Sequence, residues 1–252
     1  MASRLRRALN LDLVSISDVL GADFLAGGGR ISLTAEQIAE MKTLAAEALV
    51  LRPDAESLAR LVHTLEDLGA LDVKAALTLH SRGALSLAER LGKAVQPVTI
   101  AGDAVKLPEE RYAAFFRSLV HVFRNAVDHG IETPEERLDA DKPEEGRITC
   151  HVEAGERMLT IIIADDGSGI DREALEAKWA RNGGDAAEAM ALEDLVFADG
   201  ISSRDDASDV SGRGVGMAAV KAELVRLGGS VSLTSEAGQG TQLVFRLPYS
   251  KS

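Results

Sequence analysis

A polar stripe on one predicted helix is the first feature of this chain that could do chemistry. The segment HVFRNAVDHGIE, residues 121–132, carries polar side chains at spacings of three and four, which share one face of an α-helix. These side chains are His121, Arg124, Asn125, Asp128 and His129. Apolar residues continue the helical period on the other side, so the helix has a core face and a chemically equipped face. An ordinary solvated face is the alternative, although such a face more often carries Lys and Glu.

An apolar run that ends at two aspartates is the second feature. Residues 159–164 have the length and β-branched content of a buried strand, and Asp165 and Asp166 follow directly. Gly167 and Gly169 come next, and glycine lets a backbone approach a ligand closely. We therefore expect a carboxylate that addresses a base while the loop wraps it. A plain Asp-Gly turn is the alternative.

A second glycine cluster, SGRGVGMAAV at 211–220, leads into a predicted helix that ends at Gly228 and Gly229. Backbone N–H groups at a helix start attract anions, so this segment is a candidate phosphate-binding loop. A dinucleotide-binding fold needs a strand directly before the glycines. The preceding residues, 198–211, are almost all polar instead, and we interpret them as a lid over a nucleotide.

These pieces stand in the order of a known family. The boxes are HVFRNAVDHGIETPEER, DDGSGID, Phe197 before the lid, SGRGVGMAAVK and a closing GQGTQLVFRLP. Together they resemble the histidine kinase branch of the GHKL ATPases, and within it the ATP-binding domain of chemotaxis kinases of the CheA type. The resemblance covers about residues 86–249. It implies an α/β two-layer sandwich, the Bergerat ATP-binding fold, with ATP and Mg²⁺ as ligands.

The resemblance implies roles for the residues of the helix box. Asn125 matches the residue that coordinates Mg²⁺ on the triphosphate, which suits an ion that keeps several waters. His121 matches the residue proposed in the family to take part in proton transfer with the accepting histidine, with helix packing as the alternative. Asp128 and His129 would lie beside the phosphates.

The resemblance also implies how the base is recognised. Asp165 matches the carboxylate that accepts a hydrogen bond from the adenine amino group. The rest of the implied pocket is Gly167, Gly169, Ile170 and Thr241 near the base, Phe197 and Met217 as apolar cover, and Gly212, Arg213, Gly214, Val215 and Gly216 beside the phosphates, with Lys178 a looser candidate. Its apolar members serve equally well as core. The chain departs from the family at Ala218 and Ala219, where an acidic residue is usual.

A histidine kinase also needs a histidine to phosphorylate. Of the five histidines, His63 and His80 lie outside both the nucleotide box and the predicted strands. The run HTLEDLG at 63–69 is only faintly similar to the HTxKG run of phosphotransfer domains, because Glu66 replaces the lysine and repels phosphate. The acceptor is therefore one of these two residues, or it lies in another domain or protein.

Composition limits the class of protein. A chain of 252 residues with 46% hydrophobic content can bury a sizeable core. The net charge of −12 gives no support for binding to nucleic acid or to an anionic membrane. Cys150 is the single cysteine, and no apolar run reaches the length of a membrane span. We expect a cytoplasmic protein without membrane insertion.

We predict an N-terminal segment at 1–33, a helical region at 34–92 and a histidine kinase-like ATP-binding domain at 93–252. The apolar stripes of the helical region resemble the dimerisation hairpin of the family, so we expect a homodimer. A self-contained helical bundle is the alternative.

The leading hypothesis is a protein-histidine kinase module of a two-component system, with ATP or ADP as ligand and a response regulator or phosphotransfer protein as partner. A nucleotide-binding dimeric regulator or adaptor without kinase activity is the alternative. An ATPase clamp of the gyrase, MutL or Hsp90 type is disfavoured by the HGIE run and the SGRGVGM box. An anti-sigma serine kinase would not need the long helical segment in front.

Overall fold

The chain divides into two compact units, Met1–Ala70 and Leu71–Ser252. The computed structural model describes residues 35–51, 56–67, 70–181, 183, 190–198 and 216–249. In the first unit, helix α1 (Ala35–Leu51) packs against helix α2 (Glu56–Asp67). The helices predicted there are present, and their part in dimerisation stays a prediction. The predicted segment 1–33 lies outside the described residues.

Helix α3 (Val73–Arg90) belongs to the second unit, although it lies within the predicted helical region 34–92. Its inner face places Val73, Leu77 and Ala84 in the core of that unit. Asp72 caps the helix by accepting a hydrogen bond from the Ala75 N–H at 2.9 Å. The unit that carries the candidate site therefore starts about twenty residues before the predicted boundary.

The second unit is built on a mixed sheet with helices packed against it. A small sheet pairs β1 (Ala70–Asp72) with β3 (Lys106–Pro108), and the main sheet has the order β2-β4-β5-β7-β6. The main strands are β2 (Thr99–Gly102), β4 (Ile148–Ala154), β5 (Met158–Asp165), β6 (Ser230–Glu236) and β7 (Gly240–Pro248). The further helices are α4 (Glu109–Ser118), α5 (Val120–Asn125), α6 (Pro134–Asp139), α7 (Arg172–Arg181), α8 (Leu192–Val196) and α9 (Gly216–Arg226). Strand β2 runs parallel to β4, and the other neighbours are antiparallel.

The core lies between one face of this sheet and the helices. Alternate residues of the central strand, Leu159, Ile161 and Ile163, point into it, as the strand period requires. Phe115 and Phe245 meet edge to face with ring centroids 5.7 Å apart, which joins α4 to β7. The predicted α/β two-layer fold is confirmed. No helix within the described parts of the chain is long and apolar enough to cross a membrane.

The helix predicted to carry the polar stripe at 121–132 is not one continuous α-helix. Helix α4 ends at Ser118, α5 runs from Val120 to Asn125, and the chain then widens into a π-helical turn, Ala126–Gly130. The Ile131 N–H donates to the Ala126 carbonyl at 2.7 Å, which closes the wider turn. Such turns are rare and concentrate at functional sites. The apolar face stays continuous because the changes of period fall between buried residues.

Candidate functional site

Asp128 and His129 of the polar stripe lie in the π-helical turn. The backbone carbonyls of Val127 and Asp128 in this turn have no partner within the helix. Asn125, half-buried, is the last residue of α5. The Lys93 ammonium donates to the Val127 carbonyl at 2.9 Å and to the Asp128 carbonyl at 2.6 Å. A cation at the carbonyl end of a helix also matches the helix dipole. Lys93 therefore fixes the backbone of the turn that carries Asp128 and His129.

We expect Lys93→Met to destabilise the protein by about 1–3 kcal/mol, because two half-buried carbonyls lose their donor. Urea denaturation measures this loss. Lys74→Met is the control, since the Lys74 ammonium also donates to one carbonyl, that of Gly102, but at an exposed position. We expect that variant to lose less than about 1 kcal/mol. Equal losses in the two variants would contradict the assigned role of Lys93.

The side chains of the stripe differ in exposure and charge. Burial, helped by the positive charge of Arg124, lowers the pKa of His121, so its imidazole is neutral at pH 7 and able to accept a proton. The Arg124 Nε lies 3.8 Å from the Asp128 carboxylate, one helical turn away. His129 is exposed. The structure thus brings Arg124 and Asp128 of the predicted stripe close together across α5 and the turn.

Asp165 ends the central strand and faces the end of the same turn. Its Oδ1 accepts a hydrogen bond from the Gly167 N–H at 3.0 Å. Burial raises the pKa of Asp165 to about 6, the backbone N–H groups of Gly167 and Thr241 oppose this rise, and the charges of Asp166 and Glu132 add to it. The carboxylate is therefore ionised at neutral pH but held in a setting that favours an added hydrogen-bond donor.

The loop after Asp165 packs backbone to backbone on the end of the π-helical turn. A Cβ on Gly167 would overlap the carbonyl of Gly130, and a Cβ on Gly130 would lie 3.2 Å from Asp165 Oδ1. The Ser168 N–H donates to the Gly130 carbonyl at 2.9 Å. Two glycines thus bring the strand end and the helix end into direct contact, and they leave the Asp165 carboxylate without a covering side chain on that side.

The hairpin between β6 and β7 completes this junction. Thr241 stands opposite Asp165 in the register of β5 and β7, and its hydroxyl lies 3.1 Å from the Ser235 hydroxyl. The Ser235 hydroxyl also accepts from the Ile170 N–H at 2.8 Å. Gly240 has φ +102°, and a Cβ there would overlap the Asp165 carbonyl. Three distant segments of the chain therefore meet around one carboxylate.

A cluster of four charged side chains lies behind the junction. Arg137, fully buried, donates to the Glu132 carboxylate at 3.0 Å and to the Asp166 carboxylate at 3.1 Å. Lys142 donates to the other Glu132 oxygen at 2.6 Å, to the Asp166 carbonyl at 3.0 Å and to the Gly167 carbonyl at 2.7 Å. Sequence reasoning missed these residues. A charged residue is buried only when it is paired, and Asp166, which pairs with Arg137, lies 29 positions away, so no local pattern marked the cluster.

Residues 116–251, over half of the chain, match the family model described as "Histidine kinase-, DNA gyrase B-, and HSP90-like ATPase". The chain belongs to this family. The predicted GHKL resemblance is thereby confirmed.

Curated relatives of this ATPase domain include a chemotaxis protein CheA of Rhizobium meliloti, 36% identical over 201 residues, which are 77% of this chain and 26% of the relative. CheA of Halobacterium salinarum is 41% identical over 155 residues, 59% of this chain and 23% of the relative. The gliding motility regulatory protein of Myxococcus xanthus is 45% identical over 139 residues, 53% of this chain and 18% of the relative. The chain spans about a quarter or less of the length of these relatives.

The remaining predicted residues of the ATPase site fall into three groups. Phe197 and Met217 are buried in the core, so their contact with a nucleotide stays a prediction. Gly216 begins α9, and Lys178 is half-buried on α7. The predicted phosphate-side residues Gly212, Arg213, Gly214 and Val215 lie outside the described residues.

Proposed function

We propose that this chain is the Mg-ATP-binding catalytic module of a protein-histidine kinase in two-component signalling, which transfers the γ-phosphoryl group of ATP to a histidine. The observation that carries this proposal is the Asp165 carboxylate at the junction of three segments, next to the turn that follows Asn125. Membership of the ATPase family supports it. So do relatives named chemotaxis protein CheA and one named sensor histidine kinase CheAY in Helicobacter pylori.

The base end of the site fits an adenine ring. Asp165 offers a charged acceptor to an exocyclic amino group, and the facing Gly130 places no side chain beside it. Thr241 and Ile170 stand on the neighbouring segments of the junction. A hypoxanthine or guanine ring presents a carbonyl oxygen at the same position, which the ionised carboxylate would repel. Asp165 would thus select adenine.

The phosphate end fits a metal held mainly by phosphate and water. No group of three or more acidic, histidine or cysteine side chains within the described ranges is placed to hold a metal ion. A single amide ligand, Asn125, matches the way Mg²⁺ binds with nucleotides. When bound, Mg²⁺ would supply charge neutralisation on the transferring phosphoryl group. The neutral His121 would accept the proton released from the attacking imidazole.

The phosphate acceptor lies outside this site. The His80 Nε2 lies 2.7 Å from the Phe116 carbonyl and so carries a proton that it donates, and its ring stacks on Phe123 with centroids 5.9 Å apart. This makes His80 a poor nucleophile at Nε2. We place the acceptor on His63, of which the structure describes only the backbone in α2, or on another domain or protein.

The partners follow from this role. We propose a cytoplasmic homodimer that hands its phosphoryl group to a response regulator or phosphotransfer protein. Leu44, Val50 and Leu61 are exposed on the helical pair of the first unit, and this apolar surface supports pairing with a second copy. A nucleotide-binding regulator without kinase activity is the second candidate, because Glu66 replaces the lysine expected beside His63 and His80 is engaged in a hydrogen bond.

The test is incubation of the purified chain with Mg²⁺ and γ-labelled ATP, with acid-labile and base-stable label mapped to a residue. Label on His63 supports a self-contained kinase. Label that appears only on an added histidine-containing phosphotransfer domain supports an acceptor elsewhere. Nucleotide binding with no label under either condition favours the regulator.

We expect Asn125→Ala to abolish Mg-ATP binding, at least about 100-fold in affinity, because the amide that holds the metal and phosphates is lost. Isothermal titration of ATP with and without Mg²⁺ measures it. Val120→Ala is the control, since Val120 is exposed on the same helix and carries no polar group. Unchanged Mg-ATP affinity in Asn125→Ala would sink the assignment of this residue.

A further inference from the structure

We propose that the ion cluster of Arg137, Lys142, Glu132 and Asp166 positions Asp165, and that the charges of the cluster set the pH range in which the Asp165 carboxylate binds the adenine amino group. This inference rests on the proposed function, because it assumes that Asp165 meets the base. None of the four side chains needs to touch the nucleotide.

The cluster first fixes the backbone that follows Asp165. The Asp166 N–H donates to the Arg147 carbonyl at 3.2 Å, and the Asp166 carboxylate accepts from the Arg147 N–H at 2.8 Å. Arg137 reaches the Asp166 carbonyl at 3.3 Å, and Lys142 reaches the next carbonyl, that of Gly167. The peptide planes that follow Asp165 therefore cannot rotate without breaking several charge-assisted hydrogen bonds.

The cluster also ties that loop to the end of the π-helical turn. Glu132 lies just after the turn, beyond Ile131, and both of its carboxylate oxygens are bound, one by Arg137 and one by Lys142. Arg137 makes two further contacts with the chain, to the carbonyls of Pro143 at 2.7 Å and Glu145 at 3.5 Å. A fully buried guanidinium with this many acceptors is held in one geometry. Arg137 thus links the helix box to the loop after Asp165 independently of the glycine contacts.

The charges of the cluster act on Asp165 in opposite directions. Glu132 and Asp166 disfavour the ionised form of Asp165, whereas Arg137 and Lys142 neutralise both of these carboxylates. Burial alone would raise the pKa of Glu132, but the hydrogen bond and charge of Lys142 lower it overall, so Glu132 remains an anion. On the hairpin side, the charged side chain is Glu236, whose carboxylate accepts from Gln239 at 2.8 Å. Burial and the N–H groups of Gly167 and Thr241 have the larger effects on the pKa of Asp165, and the carboxylates of the cluster, Asp166 and Glu132, add to them.

The experiment compares the affinities of ADP and IDP between about pH 5 and about pH 8 by isothermal titration. The two nucleotides share their phosphates, so the ratio of their affinities reports the contact with the base alone. We expect the ratio to favour ADP where Asp165 is ionised and to fall by about tenfold where it is protonated, since a protonated carboxyl can donate to the carbonyl of hypoxanthine. The quantity measured is the pH at the midpoint of that fall in the affinity ratio.

Variants of opposite charge should move this midpoint in opposite directions. We expect Arg137→Met to raise it, and Glu132→Gln and Asp166→Asn to lower it, each by about 0.5–1 pH unit. Leu159→Ala is the matched control, because it removes core packing at the far end of β5, roughly 20 Å from Asp165. That variant should lose stability with an unmoved midpoint.

A purely structural role predicts a different pattern. All variants would then lose affinity for ADP and IDP alike, with one common midpoint, and the inference would be overturned. If Arg137→Met fails to fold, the two isosteric variants still decide, because an unmoved or raised midpoint in both contradicts the inference. A wild-type protein that binds ADP and IDP equally at all pH values would instead contradict the proposed base contact itself.

Discussion

Replacement of Asp165 by Asn is expected to lower the affinity for ADP by about 100-fold and, at the same time, to stabilise the ligand-free protein at pH 7. The affinity falls because a neutral amide replaces a charged acceptor, and its NH₂ group can oppose the adenine amino group. The stability rises because the ionised carboxylate is half-buried without a cation in direct contact among the residues the structure describes.

The sign of the pH dependence follows from the raised pKa of Asp165. A carboxyl whose pKa rises from 3.8 to about 6 on folding favours the folded state fully below its unfolded value, and this contribution disappears as the pH rises through about 6. Relative to low pH, the ionisation of Asp165 therefore lowers the free energy of unfolding by about 1–2 kcal/mol at pH 7. This figure takes about 1.4 kcal/mol per pKa unit and is reduced for partial exposure. The Asn variant should lack this loss between about pH 4 and about pH 6.

Urea denaturation without nucleotide at about pH 4, 6 and 7.5 measures this difference. Asp171→Asn is the matched control, because Asp171 is an exposed aspartate six positions on whose carboxylate accepts from the Ala174 N–H at 3.0 Å, and an Asn can do the same. That variant should keep both ADP affinity and stability. An Asp165→Asn protein that is less stable than wild type at pH 7, or that binds ADP normally, would refute the role given to this carboxylate.

Gly167→Ala is expected to have a large effect on the fold for a single added methyl group. The new Cβ would overlap the carbonyl group of Gly130 and lie 2.8 Å from the Ile131 nitrogen, and these backbone atoms are held by the π-helical turn. We expect a loss of about 3 kcal/mol or more and no measurable nucleotide binding, since the strand end and the helix end must separate.

The matched control is Gly83→Ala in helix α3, where a Cβ meets nothing within 4 Å. Alanine there should raise the free energy of unfolding by about 0.5–1 kcal/mol, because it favours the helix more than glycine does. Thermal and urea denaturation of both variants measure the contrast. A Gly167→Ala protein as stable as wild type would show that the loop can move away from Gly130 at little cost.

Much of the site was open to prediction because its residues carry local signals. The polar stripe of His121, Arg124 and Asn125 could be read from helical spacing, and Asp165 from the end of an apolar run. The buried strand at 159–164 followed from the length and β-branched content of that run, and the structure confirms it within β5. These features depend on neighbours within one element.

The features that were missed depend on contacts between distant elements. Lys93 binds carbonyls about 35 positions away, and Arg137 binds a carboxylate 29 positions away, so no short-range pattern announces either. The π-helical turn was also missed, because its apolar face keeps the helical period that the sequence shows. The second unit begins before the predicted position 93 for a similar reason. Helix α3 has the apolar stripe of any amphipathic helix, and only its packing partners decide to which unit it belongs.

The junction of three segments has a consequence for how the protein folds. Gly130, Gly167 and Gly240 are far apart in the sequence, and their backbones meet only when the last strand, β7, has paired with β5. Closing such long loops is slow and comes late in folding. A partly folded chain therefore lacks the complete nucleotide site. A ligand that binds at this junction binds only fully folded molecules, and by mass action it stabilises the entire sheet against unfolding.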